Sequence, residues 1–576
     1  MSGESHVARF ASEIMFRARI VLTLFLLIIS SSGARPPVAA GATYYLSPAG
    51  NDSNPGTALN RPWRSFEKIL NASRPLRAGD TVVLLDGTYT RQTTGLPHVD
   101  CGTNGNAPNG TPDGPVVVRA QHERQAVLQS DGYAPGFSME GCRWWHVEGL
   151  RAASRDADAP QAGGYPFRLS RVDHVTLERL LGSHNNRRQN THVFAVEDST
   201  NVLLEECEAY FFHRHAFSIW RSRFVTIRRC YANSMRYGER GCCSTIDNRS
   251  YGDEAFSLYG TSDSIVENSI SENEANGFQI HGIANPLDPS GSGGRHNRIL
   301  GSVSFNDSVS LLVGSRMVGG TYHNAEGNEI RDFIAANTSG AGMYLRGAAG
   351  TVVENATLYG SSGPGGLVAD AGDPGLGGTC GSSNPDGCSL VARYVLSLDN
   401  RNGHGFLVSG QENWRIEWCD ASGNRVDYGS PEAPGDDAGH IRHSEVLEVP
   451  EIGLGDGQCL IRVPDGSALK RAGKGARDIG ATVVQRYHDG QLTRQPLWEP
   501  ATGAFPCGAV VTGINDGPIR CTNVHERLNV NAHGCHLQAS AASKAAPGAD
   551  GDEGDVGPRD SRQAFRETLG RSDRAE

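Results

Sequence analysis

The residues with chemistry to offer gather at two short runs, His213-Arg-His215 and Asp253-Glu254, and at alternate positions of the apolar segments that follow them. His215, Glu254, His281 and Arg346 are the candidate catalytic groups. An imidazole or carboxylate can carry a proton to or from a reacting atom, and a guanidinium can hold an acid group or a developing charge. Trp220, Tyr259, Gln279, Tyr344, Arg316 and Glu197 are the candidate substrate-binding groups. Aromatic faces stack on sugar rings, while amide, carboxylate and guanidinium groups reach hydroxyls and acids. If the segments are strands, Glu197, Trp220, Tyr259, His281 and Arg346 point outward in one ladder. Ser218, Ser257, Gln279 and Tyr344 then form a second outward ladder, and both are expected to face water. Such an aromatic and polar strip suits an extended glycan, although any solenoid also needs polar residues on its outer wall.

A two-part repeat must position these groups. Its first part is an apolar-polar run, as in His174-Val-Thr-Leu-Glu-Arg-Leu180, Asn201-Val-Leu-Leu-Glu-Glu-Cys207 and Phe224-Val-Thr-Ile-Arg-Arg-Cys230. Its second part is a pair of apolar residues two apart: Phe194/Val196, Phe217/Ile219, Phe256/Leu258, Phe278/Ile280, Leu311/Val313, Met343/Leu345, Leu367/Ala369 and Phe406/Val408. Phe194 and Phe217 stand 23 apart, Phe256 and Phe278 22, and Met343 and Leu367 24. Strand-type alternation at a fixed period is the mark of a solenoid whose coils bury their apolar faces only by stacking. Asn and Gly are expected at the corners, where the chain needs left-handed backbone.

The pattern, with Asn276-Gly-Phe-Gln-Ile280 and Asn402-Gly-His-Gly-Phe-Leu-Val408 as copies of the short unit, resembles the right-handed parallel β-helix of exported bacterial proteins of the pectate-lyase superfamily. That resemblance implies an all-β solenoid and directs attention to polysaccharides. Several lyases of the superfamily use Lys as base, yet no Lys occurs between Gln121 and Glu448. An arginine base (Arg221, Arg236, Arg240, Arg316 or Arg346) or a His/Tyr scheme (His281, His215, Tyr259 or Tyr344) remains open. The superfamily's hydrolases pair Asp residues with a Gly-His-Gly. Gly403-His-Gly405 is present, but Asp436-Asp437 falls in a linker, and the epimerase motif Asp-Pro-His-Asp is absent.

The 576 residues, 72 glycines and 20% charged residues suit a turn-rich β chain that grows by adding coils. A net charge of −11 argues against nucleic acid as a partner. Arg17 and Arg19, the apolar run Ile20 to Ile29 and the small residues after it read as a signal peptide over 1–42, with Met15 as the expected true start. The mature chain is therefore expected to be a secreted or periplasmic monomer without a stable membrane anchor.

Residues 43–90 are expected to form an N-terminal cap, with Trp63, Phe66, Ile69 and Leu70 on one face of a short amphipathic helix. The β-helix is expected over 91–429, a linker and C-terminal segment closing the last coil over 430–538, and a disordered tail over 539–576. Thirteen Cys permit disulfides in an exported chain, with Cys380 and Cys388 flanking one insertion and Cys459, Cys507, Cys521 and Cys535 farther on. Cys207 and Cys230 are read as stacked thiols. No cofactor is required by the sequence. Asp52, Asp80, Asp156 and Asp158 could hold calcium, but Asp at such positions more often serves turns. Two functions follow: a lyase-like enzyme that binds and cleaves an extracellular polysaccharide, with an acidic glycan as the candidate, or a non-catalytic surface or envelope protein that binds glycan or serves as a scaffold.

Overall fold

The structure is a computed structural model, and it describes residues 41–71, 73, 75–131, 134–154, 164–186, 190–234, 253–318, 321–370, 389–408, 413–429, 460–463, 467–498, 511–512 and 518–519. The signal peptide, Asp156, Asp158, Arg236, Arg240, the cysteines after Cys419 and the tail lie outside the described residues. The rest forms an all-β, right-handed parallel β-helix. One wall is a sheet of twelve strands, which begins at His98–Asp100 and ends at Val426–Gly429. The remaining walls merge into a sheet of 23 strands.

Register in the twelve-stranded sheet follows the apolar pairs. Phe167 lies opposite Phe194, then Phe217, Phe256 and Phe278, and the column continues through Leu311, Met343, Leu367 and Phe406. The rings from Phe167 to Phe278 lie 5.0, 4.8, 4.9 and 4.7 Å apart, nearly parallel. These separations equal the spacing between hydrogen-bonded strands, so the ring stack repeats the backbone ladder. On the other sheet Val175/Leu177, Val202/Leu204 and Val225/Ile227 fill the same core.

The corners depart from expectation. Left-handed residues stand in columns, one per coil, but only some are Asn or Gly. The longest column runs Gly149, Arg179, Glu206, Arg229, Asn268, Gly301, Asp332, Asn355, Tyr394 and Trp418, all at φ between 50° and 67°. Each non-glycine member bears a steric cost of about 1–2 kcal/mol. The main-chain bonds above and below hold it there: Arg179 N–H donates to Glu205 O, Glu206 N–H to Arg228 O and Arg229 N–H to Glu267 O.

The expected amphipathic cap helix is a single 3-10 turn, Phe66–Lys68. Its apolar face was read rightly, since Trp63, Phe66 and Ile69 are buried. The helix stays short because Asp52 accepts the Arg64 and Ser65 N–H groups and the Ser65 hydroxyl, tying the segment to the loop before it. Asp80 likewise accepts from Ala42 and Arg77 N–H. Both carboxylates serve turns. The coil itself already begins at Thr43–Leu46, which pairs in parallel with Thr81–Leu84.

The described part of the C-terminal segment lies along the flank of the helix, and residues 430–459, which lead away from the last coil, lie outside the described residues. Leu460, Ile461, Ala481, Val483, Leu497 and Trp498 bury an apolar stripe formed by Leu181, Tyr210, Tyr231, Ile270, Val303 and Ile334. The hairpin Gln485–His488/Gln491–Pro496 is fastened by Glu267, which accepts from Asp489 and Gly490 N–H, and by Asn268, bonded both ways to Tyr487. The apolar flank residues stand at positions that a free solenoid wall would make polar, and they require this cover.

Cys207 and Cys230 are buried free thiols, as read, and Cys419 is a third. A disulfide joins Cys101 to Cys142, a pair with no spacing signal in the sequence. One corner buries two acids. Asp307 accepts from the Ser271 and Ser304 hydroxyls and from Glu274 N–H, and Glu274 accepts from Ser234 N–H. Burial raises Asp307 to about 7, and burial together with Asp253 and Asp307 raises Glu274 well above the usual carboxylate range.

Two outcomes follow. Phe217→Ala, which breaks the ring stack at its centre, costs about 3–5 kcal/mol in a denaturant titration. Because Asp307 and Glu274 hold their protons more tightly folded than unfolded, their contribution is present below about pH 4 and is lost as pH rises toward 7. The melting-temperature advantage of wild type over Asp307→Asn should therefore shrink between pH 5 and pH 8. An advantage that grows with pH would refute the assignment.

Candidate functional site

Three neighbouring strands of the twelve-stranded sheet, His215–Trp220, Glu254–Tyr259 and Asn276–His281, carry the principal polar cluster. Register sets His215 opposite Glu254, Ser257 opposite Gln279, and Trp220, Tyr259 and His281 in line. The coil spacing therefore brings together side chains that are 39 and 22 residues apart in sequence, as His215 to Glu254 and Ser257 to Gln279 are.

Glu254 is the hub. Arg214 Nη1 donates to Oε1 at 3.1 Å, and His215 Nδ1 lies 2.7 Å from Oε2. Gln279 Nε2 also donates to Oε2, and the Ser257 hydroxyl reaches it at 3.5 Å. Burial alone would raise this carboxyl, but His215 and Arg214 outweigh it and hold it at about 2. Burial pushes His215 below its ordinary value, against the pull of Glu254. With Nδ1 directed to the carboxylate, the other ring nitrogen, Nε2, is the one left to accept a proton. His213 Nδ1 pairs with Asp253 at 3.1 Å, which seats the start of the Glu254 strand.

Beside the hub, Trp220, Tyr259 and His281 stack in sequence, with ring centres 5.5 and 4.6 Å apart. His281 Nε2 lies 3.3 Å from Gln279 Oε1, joining the stack to the hub. Arg316 folds back over Tyr259, its guanidinium carbon 5.4 Å from the ring centre. It stands at the start of the antiparallel hairpin Arg316–Val318/Thr321–His323, an insertion that the repeat pattern did not announce.

Several expectations are corrected. The outward ladders face water only in part: Ser218, Ser257, Tyr259, Gln279, His281 and Tyr344 are buried, as are His215 and Glu254 beside them, whereas Glu197, Trp220 and Arg346 stay partly exposed. They point away from the helix core as expected, and they pack against one another, with Arg316 over Tyr259. Arg346 stands two coils on from His281, with Gly314 between them in the same column, and lies opposite Asp370. Tyr344 sits in an apolar group with Val309, Leu312, Ala341 and Val368, and its hydroxyl bonds Asp370. Glu197 lies at the other end and pairs with Arg168 at 2.9 Å. Gly403-His-Gly405 is part of the ordinary coil, as read. Arg214, which donates to Glu254, is not among the residues that the sequence reading places at the site. Its place in the run before the strand was visible, but its burial against Glu254 was not.

Among the described residues no group of three or more His, Cys, Asp or Glu is arranged to hold a metal ion, and no helix is long and apolar enough to cross a membrane.

No family model matches the sequence. One curated protein, a lacto-N-biosidase of Bifidobacterium longum, is 33% identical over 110 residues, which is 18% of this chain and 6% of that protein. Among solved structures the chain is similar to a pectate lyase, at 15% identity and a TM-score of 0.42 over 77% of this chain and 96% of that one. It is also similar to the A-module of a mannuronan C-5 epimerase of Azotobacter vinelandii, at 13% identity and a TM-score of 0.43 over 61% and 90%. A lacto-N-biosidase of Eubacterium ramulus follows at 11% identity and a TM-score of 0.36 over 67% and 66%. The parallel β-helix assignment for this chain stands on its own strand pairing.

Proposed function

We propose that this chain is an exported β-helix protein that binds a polysaccharide and cleaves it by elimination at the cluster around Glu254. The observation that carries the reading is the buried Arg214–Glu254–His215 hub beside the Trp220–Tyr259–His281 stack. A carboxylate held ionised next to an imidazole held toward neutrality is an arrangement suited to proton abstraction at neutral pH.

In the proposed reaction His215 Nε2 removes the proton from the carbon next to the carboxyl group of an acidic sugar. The electron pair forms the carbon–carbon double bond, the glycosidic carbon–oxygen bond breaks, and the leaving oxygen takes a proton from the Tyr259 hydroxyl. Arg316 faces the acid group, and Glu254 and Arg214 act as positioning residues. The expected site outside the cytoplasm rests on the Arg17 to Ile29 segment. A second reading, glycan binding without turnover, is favoured by one observation: Glu254 and Tyr259 are buried, and Glu254 has its charge balanced by its neighbours.

Pectin, alginate and glycosaminoglycans, assayed by the ultraviolet absorbance of the unsaturated product, separate the two. Turnover of one polymer is expected. His215→Ala should lower it about 100-fold or more, and Tyr259→Phe, which keeps the ring stack, should lower it with an unchanged melting temperature. Binding to a polymer with no product from any of them would leave the second reading.

A further inference from the structure

One side chain of the cluster around Glu254 does opposite work at its two ends. We propose that Gln279 is a positioning residue, whose amide fixes a proton on His281 Nε2 and so ties the Trp220–Tyr259–His281 stack to the Glu254 hub. On the elimination reading above, on which the catalytic side of this role rests, Gln279 keeps the acid Tyr259 in place beside the base His215.

The hub dictates which way the amide faces. Glu254 is ionised, and its oxygens can only accept. Arg214 Nη1 occupies Oε1, and His215 Nδ1 lies against Oε2. The end of the Gln279 amide that meets Oε2 must therefore be the NH2, because a carbonyl there would set two acceptors against each other. The same nitrogen donates to Ser257 Oγ at 2.5 Å. Both of its hydrogens are then used.

The other end follows from the first. Gln279 Oε1 is turned to His281 Nε2 at 3.3 Å and to Asn276 Nδ2 at 3.4 Å. A carbonyl oxygen has no hydrogen to give, so the imidazole nitrogen that meets it must carry one. In the neutral ring Nδ1 then carries none. The bond also sets the plane of the ring, which lies 17° from that of Tyr259 with centres 4.6 Å apart.

These contacts close a circuit. Hydrogen bonds lead from His215 through Glu254 and Gln279 to His281, the His281 ring stacks on Tyr259, and Tyr259 meets the His215 ring edge-on at 5.8 Å. Within the circuit the two imidazoles donate and the carboxylate accepts. Gln279 alone does both. Of the side chains aligned with it, Ser257 on the preceding coil has a single polar oxygen, and Leu312 on the following coil has none. An amide separates donor from acceptor and so meets both neighbours at once. Gln279 is buried, and both ends of its amide are spent on these partners.

Nuclear magnetic resonance of the full chain, deuterated and carrying 13C,15N-labelled histidine, tests the role. Two-bond nitrogen–proton correlations at pH 8 report which ring nitrogen holds the proton, and His281→Gln identifies the signal. Wild type should show His281 protonated at Nε2 and bare at Nδ1. In Gln279→Met, which keeps the length and loses both hydrogen bonds, the two nitrogen shifts should move toward each other as the tautomers mix. On a polymer that wild type cleaves, Gln279→Met should lower kcat about 10-fold or more with KM little changed and the fold kept, as the melting temperature will show. A proton on Nδ1 in wild type overturns the proposal, as does an unchanged His281 spectrum in Gln279→Met or an unchanged kcat. The proton position is read on the free protein, so it decides for or against Gln279 even if no polymer is cleaved. Absence of turnover in wild type counts against the elimination reading alone.

Discussion

The main-chain hydrogen bonds that run along the axis, coil to coil in unbroken register, are the interaction on which everything else rests. They fix the spacing of the Phe167 to Phe278 ring stack at the strand separation, and they hold charged and aromatic residues in left-handed corners that those residues would not choose. An isolated coil could do neither, because it lacks the partners above and below. The steric cost of one corner is met by bonds from its neighbours, so the corners are stable only as columns.

The same register makes the site. Outward groups from successive coils come within contact distance although the sequence separates them by 22 to 39 residues. Tyr259 can therefore stack on both Trp220 and His281, and Glu254 can meet His215 on one side and Gln279 on the other. An insertion between coils does not disturb this arrangement, because it leaves from a corner and returns to the same register. Arg316 shows what an insertion can add: a cation over the aromatic stack, delivered from a hairpin outside the repeat.

Burial changes what these groups can do. A carboxylate removed from water is tolerated when it is paired and hydrogen-bonded. Glu254 satisfies that condition through Arg214, His215, Ser257 and Gln279, and stays ionised. Asp307 has hydroxyl and amide donors but no cation, and its proton is held to about 7. Glu254 opens a strand of the twelve-stranded sheet and Asp307 sits at a corner between strands; both are buried, and the difference between them is the neighbouring charge.

What the sequence by itself determined is the architecture. Alternation within each coil assigns residues such as Phe217 and Ile219 inward and Trp220 and Tyr259 outward, and the period of 22 to 24 residues sets which of them align. These are one-dimensional properties, and local backbone geometry converts them into faces directly. Only the tertiary structure decided which outward residues meet water. The burial of Glu254 among Arg214, His215, Ser257 and Gln279, and the course of Leu460 to Trp498 along the flank, are set by side-chain packing between coils and by a segment outside the repeat. Their contacts arise from distant packing, which no period in the chain encodes. The left-handed corners at Arg179, Tyr394 and Trp418 were hidden for the same reason: their conformation is imposed by the coils above and below, against the preference of the residue itself.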